Sequence, residues 1–385
     1  MRGWNMDRAA VIGIGITKIE AKKIEETFAD MVWEAVNKAL SDAKMTIDDI
    51  DNVITTSNDF WDGRTISCMA VGDASGARHK NVSCVEGDGT FGAFYGLARV
   101  LSGSYGTTLV TAHSKGSESI SSLITNAAFD PIYDRALGMD MVSACAMQAA
   151  AYMHRTGTTP EQMAMVSVKN HGNAKYNPLS QLPMDITVDD VLGSEMISDP
   201  LHKLDCSPVS DGCCAVIIAN EKRASQYGGV PVWIKGVAFC ADSYFLGDRE
   251  ISKAVALTKA AKNAFSMARI ADPLSEIDVA EVYDAFTYQE LMWLEAMGLC
   301  EDGKAGINLE KGYYGIKGRL PVNPSGGLLS GHPVIAGGLI RIAEIVRQLR
   351  GEAGGYQVAG ARKGIAHGVN GLCGQSHCVW VLDSE

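Results

Sequence analysis

Two stretches of this 385-residue sequence carry the same order of elements. In the first, the apolar run Ala9–Gly15 precedes Phe28–Ala43, where Phe28, Met31, Val32, Ala35, Ala39, Leu40 and Ala43 fall at helical spacing. A turn at Thr46-Ile-Asp-Asp-Ile-Asp51 then leads into a second apolar run, Val53–Thr56. The second stretch repeats this with a strand at Val232–Phe239, a helix around Ala254–Ala268, a turn at Ser275-Glu-Ile-Asp278 and a run through Val279–Tyr283. Ala39, Leu40 and Ala43 return as Ala264, Phe265 and Ala268, 225 positions on, and Ile50 and Asp51 as Ile277 and Asp278, 227 positions on. A chain of this length has room for about two units of 100–200 residues, so a duplicated α/β architecture with parallel strand pairs is expected.

The remaining segments sort around that repeat. Gly92–Gly103 reads as a helix rich in small residues, Leu109–Ala112 as a buried strand, and Asp211–Ala219 as the strand that closes the first half. Residues 114–200 break the pattern, with Ser/Met-rich helical stretches followed by the polar, turn-rich Asn170–Pro178, and suggest an inserted loop or lid. The expected division is residues 1–113 with 201–228, the insertion 114–200, and residues 229–385.

Charge narrows the partners. The net charge is -11 and no Lys/Arg-rich run occurs, so neither nucleic acid nor an anionic membrane is an expected partner. No apolar stretch reaches 18 residues, and the start, MRGWNMDRAAVIGIG, lacks the pattern of a secretory signal, which makes the cytoplasm the expected location. Ten cysteines without paired CxxC spacing read as reduced thiols, with no metal site in this chain.

Chemistry is best placed at Asn323-Pro-Ser-Gly-Gly-Leu-Leu-Ser-Gly-His-Pro333, a Gly-rich loop that delivers one histidine ahead of a helix at Ile335–Leu349. A histidine so placed can be tuned by the helix dipole. With that loop, Ser210-Asp-Gly-Cys-Cys-Ala-Val216, Tyr283-Asp-Ala-Phe286 and the Gly-rich tail Gly368–Gly374, the sequence resembles the thiolase superfamily over nearly its whole length. It is most similar to the sterol-carrier-type and archaeal-type branch. The resemblance implies a duplicated five-layer α-β-α-β-α fold, a tight homodimer, and acyl-CoA and CoA as substrates.

It also implies site residues, with departures. His332 matches the family's activating histidine. The position of the acylated cysteine falls on Glu86, and Cys84 lies two residues earlier, on the same side of an extended segment. Either the nucleophile has moved or Glu86 serves as a carboxylate base; a packing role for Cys84 and a helix-capping role for Glu86 are the plainer alternatives. Tyr283 stands where the family carries a His or Asn that helps hold an oxyanion, and its phenol can still donate one hydrogen bond. Cys373 lies in the loop that carries the family's acid/base cysteine. Glu-Gly-Asp-Gly89, Tyr-Asp-Ala-Phe286 and Asp59-Phe-Trp-Asp-Gly-Arg64 are similar to thiolase subunits, such as that of benzoylsuccinyl-CoA thiolase, that work with a small zinc-finger/OB-fold accessory subunit. Any zinc would then belong to that partner.

The expected activity is cleavage of a 3-oxoacyl-CoA by CoA thiolysis, or the reverse Claisen condensation. His332 and Tyr283 would hold the enolate oxygen, Cys373 or Glu86 would move the α-proton, and Cys84 or Cys373 would carry any acyl group. Two rivals are a retro-aldolase acting on a β-hydroxyacyl-CoA, which needs no acylated thiol, and an idle scaffold subunit.

Overall fold

The computed structural model describes residues 8–226 and 230–385. The expected boundary at 228/229 and the first seven residues of the start lie outside the described residues.

Nine strands form one sheet, in the spatial order β3 (Asn81–Glu86), β2 (Asn52–Ser57), β4 (Thr107–Lys115), β7 (Asp211–Asn220), β1 (Ala9–Ile16), β8 (Val232–Ala241), β11 (Ser376–Asp383), β10 (Lys363–Asn370) and β9 (Val279–Glu281). A separate two-stranded piece joins β5 (Met196–Ser198) to β6 (Leu201–His202). The duplication is visible in the pairing. β2 lies parallel to β4, β4 antiparallel to β7, and β7 antiparallel to β1. In the same sense β9 lies parallel to β10, β10 antiparallel to β11, and β11 antiparallel to β8. The counterpart of β3 is reduced to a single parallel bridge between Ala280 and Val322. The two sets meet where β1 and β8 pair through Ala10 with Trp233 and Val11 with Val232.

Alternation along the strands builds the layers. Ala10 and Ile12 of β1, with Cys213, Ala215 and Ile217 of β7, bury the apolar stripe of the helix Phe28–Asp42. That helix packs so closely that a side chain at Gly15 would run into the Ala35 carbonyl. The opposite faces of the same strands pack on the helices Gly89–Leu101 and Gly337–Arg350, which also cover Cys378, Trp380 and Leu382 of β11. Beyond β11, Val379 and Val381 face Ala260, Ala261 and Ala264 of the helix Val255–Ala268. The result is the five-layer α-β-α-β-α arrangement, with the two central helices buried between both sets of strands.

The insertion departs from its reading. Residues 170–174, expected as polar loop, are the last turns of the helix Pro160–Ala174, and Asn170, His171 and Asn173 are buried. These polar side chains are buried because each has a partner: His171 Nδ1 meets the nearby Leu182 carbonyl, and the asparagines reach across the fold. Asn170 Nδ2 donates to Asp284 and Glu290, Asn173 Nδ2 to the Asn323 carbonyl, and Asn177 Nδ2 to the Ser325 carbonyl. The polarity that suggested solvent is internal strapping for the Gly-rich loop.

Candidate functional site

The loop 323–333 is held from below by the Tyr-Asp-Ala-Phe block. The Asp284 carboxylate accepts from the backbone N–H of Leu328 at 2.6 Å and of Leu329 at 3.4 Å. A Cβ at Gly327 would collide with that carboxylate, and Gly327 has φ +65°, so glycine is required there. Burial, followed by the neighbouring Glu290, pushes the Asp284 carboxyl up to about 7. This bracing fixes where the loop ends, and it ends at His332.

His332 is buried, and both ring nitrogens are engaged. Nδ1 lies 2.9 Å from Ser207 Oγ and Nε2 lies 2.8 Å from Tyr283 Oη, while its backbone N–H donates to Ser210 Oγ at 2.8 Å. Burial, with a smaller contribution from the Arg341 guanidinium, lowers its pKa to about 3, so the ring is neutral at physiological pH. Tyr283 is also buried, its ring edge-on to His332, and burial raises its phenol well above the ordinary value. A neutral imidazole and a protonated phenol thus share one hydrogen bond without net charge, and the Tyr283 hydroxyl also lies 3.3 Å from the Val334 carbonyl oxygen.

Cys373 sits in the tight connection between β10 and β11. Its φ is +46°, between Gly371 at +79° and Gly374 at +65°, a left-handed run that a cysteine adopts only under tertiary constraint. The constraint is visible: Arg249 donates to the Leu372 carbonyl at 2.9 Å and to the Cys373 carbonyl at 3.4 Å, and Gln148 Nε2 donates to the Cys373 carbonyl at 3.3 Å. Cys373 Sγ lies 3.7 Å from Cys145 Sγ. Trp293 ties this loop to the histidine side, since its indole N–H donates to the Tyr283 carbonyl at 2.8 Å and its ring lies against Gly374. Among the described residues, no hydrogen bond joins His332 directly to Cys373.

The other two candidates stand apart. Cys84 and Glu86 share one face of β3, as alternation requires, and that face is exposed. Cys84 Sγ lies 3.5 Å from Ser57 Oγ, and Glu86 Oε1 accepts from Asn58 Nδ2 at 2.8 Å. The turn after them does reach the tail, for Gly87 abuts the Asn370 side chain. The structure thus joins His332 to Tyr283, places Cys373 one residue layer away, and leaves Cys84 and Glu86 on the edge strand.

Similarity to known proteins bears on these positions. An acetyl-CoA acetyltransferase of Methanothermobacter thermautotrophicus is 37% identical over 378 residues, spanning 96% of this chain and 98% of its own. The chain belongs to the thiolase superfamily. The family described as thiolase C-terminal domain-like matches residues 240–384. The benzoylsuccinyl-CoA thiolase subunit BbsB of Thauera aromatica is 32% identical over 239 residues, 61% of this chain and 62% of its own. Among solved structures, the Ltp2-ChsH2(DUF35) aldolase superposes with a TM-score of 0.84 at 26% identity, over 98% of this chain and 97% of that one. As a thiolase superfamily member this chain is an enzyme of the acyl-CoA acyltransferase class.

Several residues of this thiolase site were not singled out from sequence. Ser207 orients His332 with nothing in its spacing to mark it, whereas Ser210, which holds the His332 backbone N–H, was in view only as the first residue of the Ser210–Val216 block. Cys145 lies in the helix Met141–Thr156 as one small residue among many. Asp88 was in view within Glu-Gly-Asp-Gly89. It is buried, and its carboxylate accepts from the backbone N–H of Thr90 at 2.9 Å and of Gly338 at 2.7 Å, capping both central helices. Burial pushes Asp88 up to about 6 in spite of those donors. The acid-before-Gly pattern signals its cap on the helix that follows, while the contact with Gly338, 250 positions away, has no local signal.

Proposed function

We propose that this thiolase-fold enzyme cleaves a 3-oxoacyl-CoA by CoA-dependent thiolysis and runs the Claisen condensation in reverse. The carrying observation is the buried Tyr283–His332 pair, with Oη and Nε2 2.8 Å apart and the ring uncharged. The hard part of this reaction is holding a thioester enolate, and fixed donors in a dry site stabilise such an oxyanion by several kcal/mol. In this reading Cys373 Sγ attacks the 3-oxo carbon and forms the acyl–sulfur bond. The bond between carbons 2 and 3 breaks, and its electron pair becomes the enolate whose oxygen Tyr283 and His332 hold. The proton that the Cys373 thiol gave up returns to carbon 2 and releases the acyl-CoA made of carbons 1 and 2. The sulfur of a second CoA then takes the acyl group from Cys373 as the shortened acyl-CoA, and the proton of that CoA thiol goes back to Cys373.

A route for CoA adjoins the thiol. A gap beside Cys373 and Gly374 is bordered by Gln148, Arg249 and Lys253, and at Lys253 and Ala254 it meets a groove of about 830 Å³. Arg155, Lys253, Lys259 and Lys262 border that groove together with Glu295 and Asp302, which pairs with Arg155 at 2.7 Å, and Phe265 and Met292 supply apolar surface. The gap itself holds about 10 Å³, room for a single water, so in this reading the side chains around it part to admit pantetheine while the phosphates lie in the groove. Benzoylsuccinyl-CoA, giving benzoyl-CoA and succinyl-CoA, is the first substrate to try, because BbsB is named for it. The reading includes a cytoplasmic homodimer, residues 114–200 covering the substrate, and a zinc-finger/OB-fold accessory subunit. BbsB is named a subunit, and the aldolase is named as a two-component protein.

The test is CoA-dependent cleavage of acetoacetyl-CoA and benzoylsuccinyl-CoA, with and without the accessory subunit. His332→Ala and Tyr283→Phe should each lower kcat about 100-fold or more, the scale of losing an oxyanion donor. Cys373→Ser should abolish acyl transfer, and a Cys373→Ser enzyme as fast as wild type would refute the assignment. A retro-aldol cleavage is the second reading, favoured by the carboxylate Glu86 at the nucleophile position and by the aldolase likeness. Intact mass after mixing with acyl-CoA separates them, since thiolysis leaves an acyl adduct on cysteine and the aldol route leaves none.

A further inference from the structure

We propose that Cys145 is the hydrogen-bond donor that holds the Cys373 sulfur as the reactive thiolate, a positioning residue for the acyl-transfer step. The inference rests on the reading of Cys373 as the reacting thiol. It does not rest on the identity of the acyl group.

The direction of the proton follows from the surrounding hydrogen bonds. The side-chain amide of Gln289 has two hydrogens and spends both locally, one on Cys145 Sγ at 3.8 Å and one on Tyr288 Oη at 3.4 Å. Tyr288 passes its own proton to Gln148 Oε1 at 2.7 Å, and Gln148 Nε2 donates to the Cys373 carbonyl. The first branch therefore ends on the Cys373 backbone. In the second, Cys145 Sγ accepts from Gln289, which leaves its own S–H free to donate along the 3.7 Å path to Cys373 Sγ. Both branches start at one amide and end on one residue, and every member is buried.

Burial order supports the roles. Cys145 is fully buried, whereas Cys373 and Gly374 border the gap that meets the cationic groove. The thiol at the gap can meet a thioester, and the thiol behind it can meet only that sulfur. Burial, with the neighbouring Cys373, drives the Cys145 thiol well above its ordinary value, so Cys145 keeps its proton and can donate it. The charged and titratable groups around the pair are Arg249 with Asp242 beside it, Tyr288, Cys206 from the segment before β7, and His377 of β11 against Gly374. The Arg249 guanidinium is the cation among them that favours negative charge on sulfur.

The experiment titrates the full-length enzyme by ultraviolet thiolate absorbance, each protein taken as a difference from its own Cys373→Ser counterpart. Cys145→Ala should move the Cys373 midpoint to higher pH by about one unit, the scale of one hydrogen bond to a charged group. Cys145→Ser, which keeps a donor of similar size, should restore most of that shift, which a purely packing role would not. Gln289→Leu, which releases Cys145 from the other side and leaves its packing against Cys373 in place, should move the midpoint the same way and serves if Cys145→Ala does not fold. An unmoved midpoint in Cys145→Ala or Gln289→Leu, or a Cys145→Ser midpoint as high as that of Cys145→Ala, overturns the proposal. Wild-type enzyme that titrates as expected yet cleaves no 3-oxoacyl-CoA would instead overturn the acyltransferase reading and leave the thiol pair standing.

Discussion

His332 is uncharged in the fold at neutral pH, and burial is the chief reason. A ring whose pKa is about 3 binds no proton between the ordinary histidine range and that value, whereas the unfolded chain does. Its contribution to stability is therefore fully present above about pH 6.5 and is lost as pH falls toward 3. Replacing it by Asn removes that titration, so His332→Asn should lose less stability than wild type between about pH 7 and about pH 4, read by chemical denaturation at each pH. Equal losses in the two proteins would mean that the ring is charged in the fold. The same neutrality lets one ring nitrogen of His332 donate and the other accept, toward Ser207 and Tyr283, without burying an ion.

At the scale of elements, the two central helices begin at one carboxylate. Asp88 accepts from Thr90 at the start of Gly89–Leu101 and from Gly338 at the start of Gly337–Arg350, so it satisfies donors from both halves of the repeat. Asp88→Asn keeps the shape but turns one acceptor into a donor, facing at least one backbone N–H with no acceptor. A loss of about 1–3 kcal/mol in urea denaturation is expected from that unsatisfied group. Since the helix starts also set the spacing around Tyr283, activity should fall with it. A fully stable Asp88→Asn would show that the cap is dispensable.

Across the whole molecule, the middle layer belongs to both halves. The helix Gly337–Arg350 packs on strands β1 and β7 of the first half and on β11 of the second, and β1 and β8 share backbone hydrogen bonds. Neither half can keep its buried face without the other, so unfolding should be one cooperative transition. Tryptophan fluorescence and far-UV circular dichroism should therefore report coincident midpoints. Two separated transitions would mean that the repeat units are independent.

What could be read from sequence alone was whatever repeats or punctuates locally. Spacing of Phe28, Met31, Val32, Ala35 and Ala39 marked a helix that the structure runs from Phe28 to Asp42, and the Ala39/Ala264 correspondence marked two copies of one unit. Glycines around His332 marked a loop whose shape only glycine permits, as the Gly327 contact shows. Local pattern misled at residues 170–174, because polarity there answers to Asp284, Glu290 and Asn323, all more than 100 residues away. Cys145 and Cys373 are separated by 228 positions, and no spacing rule links them. The sequence determined the element order, the duplication and the loop that carries the histidine, since those depend on neighbours along the chain. Only the tertiary structure decided which thiol stands behind Cys373, that His332 is uncharged and that Cys84 lies on an exposed edge, because burial and contact are properties of the closed core.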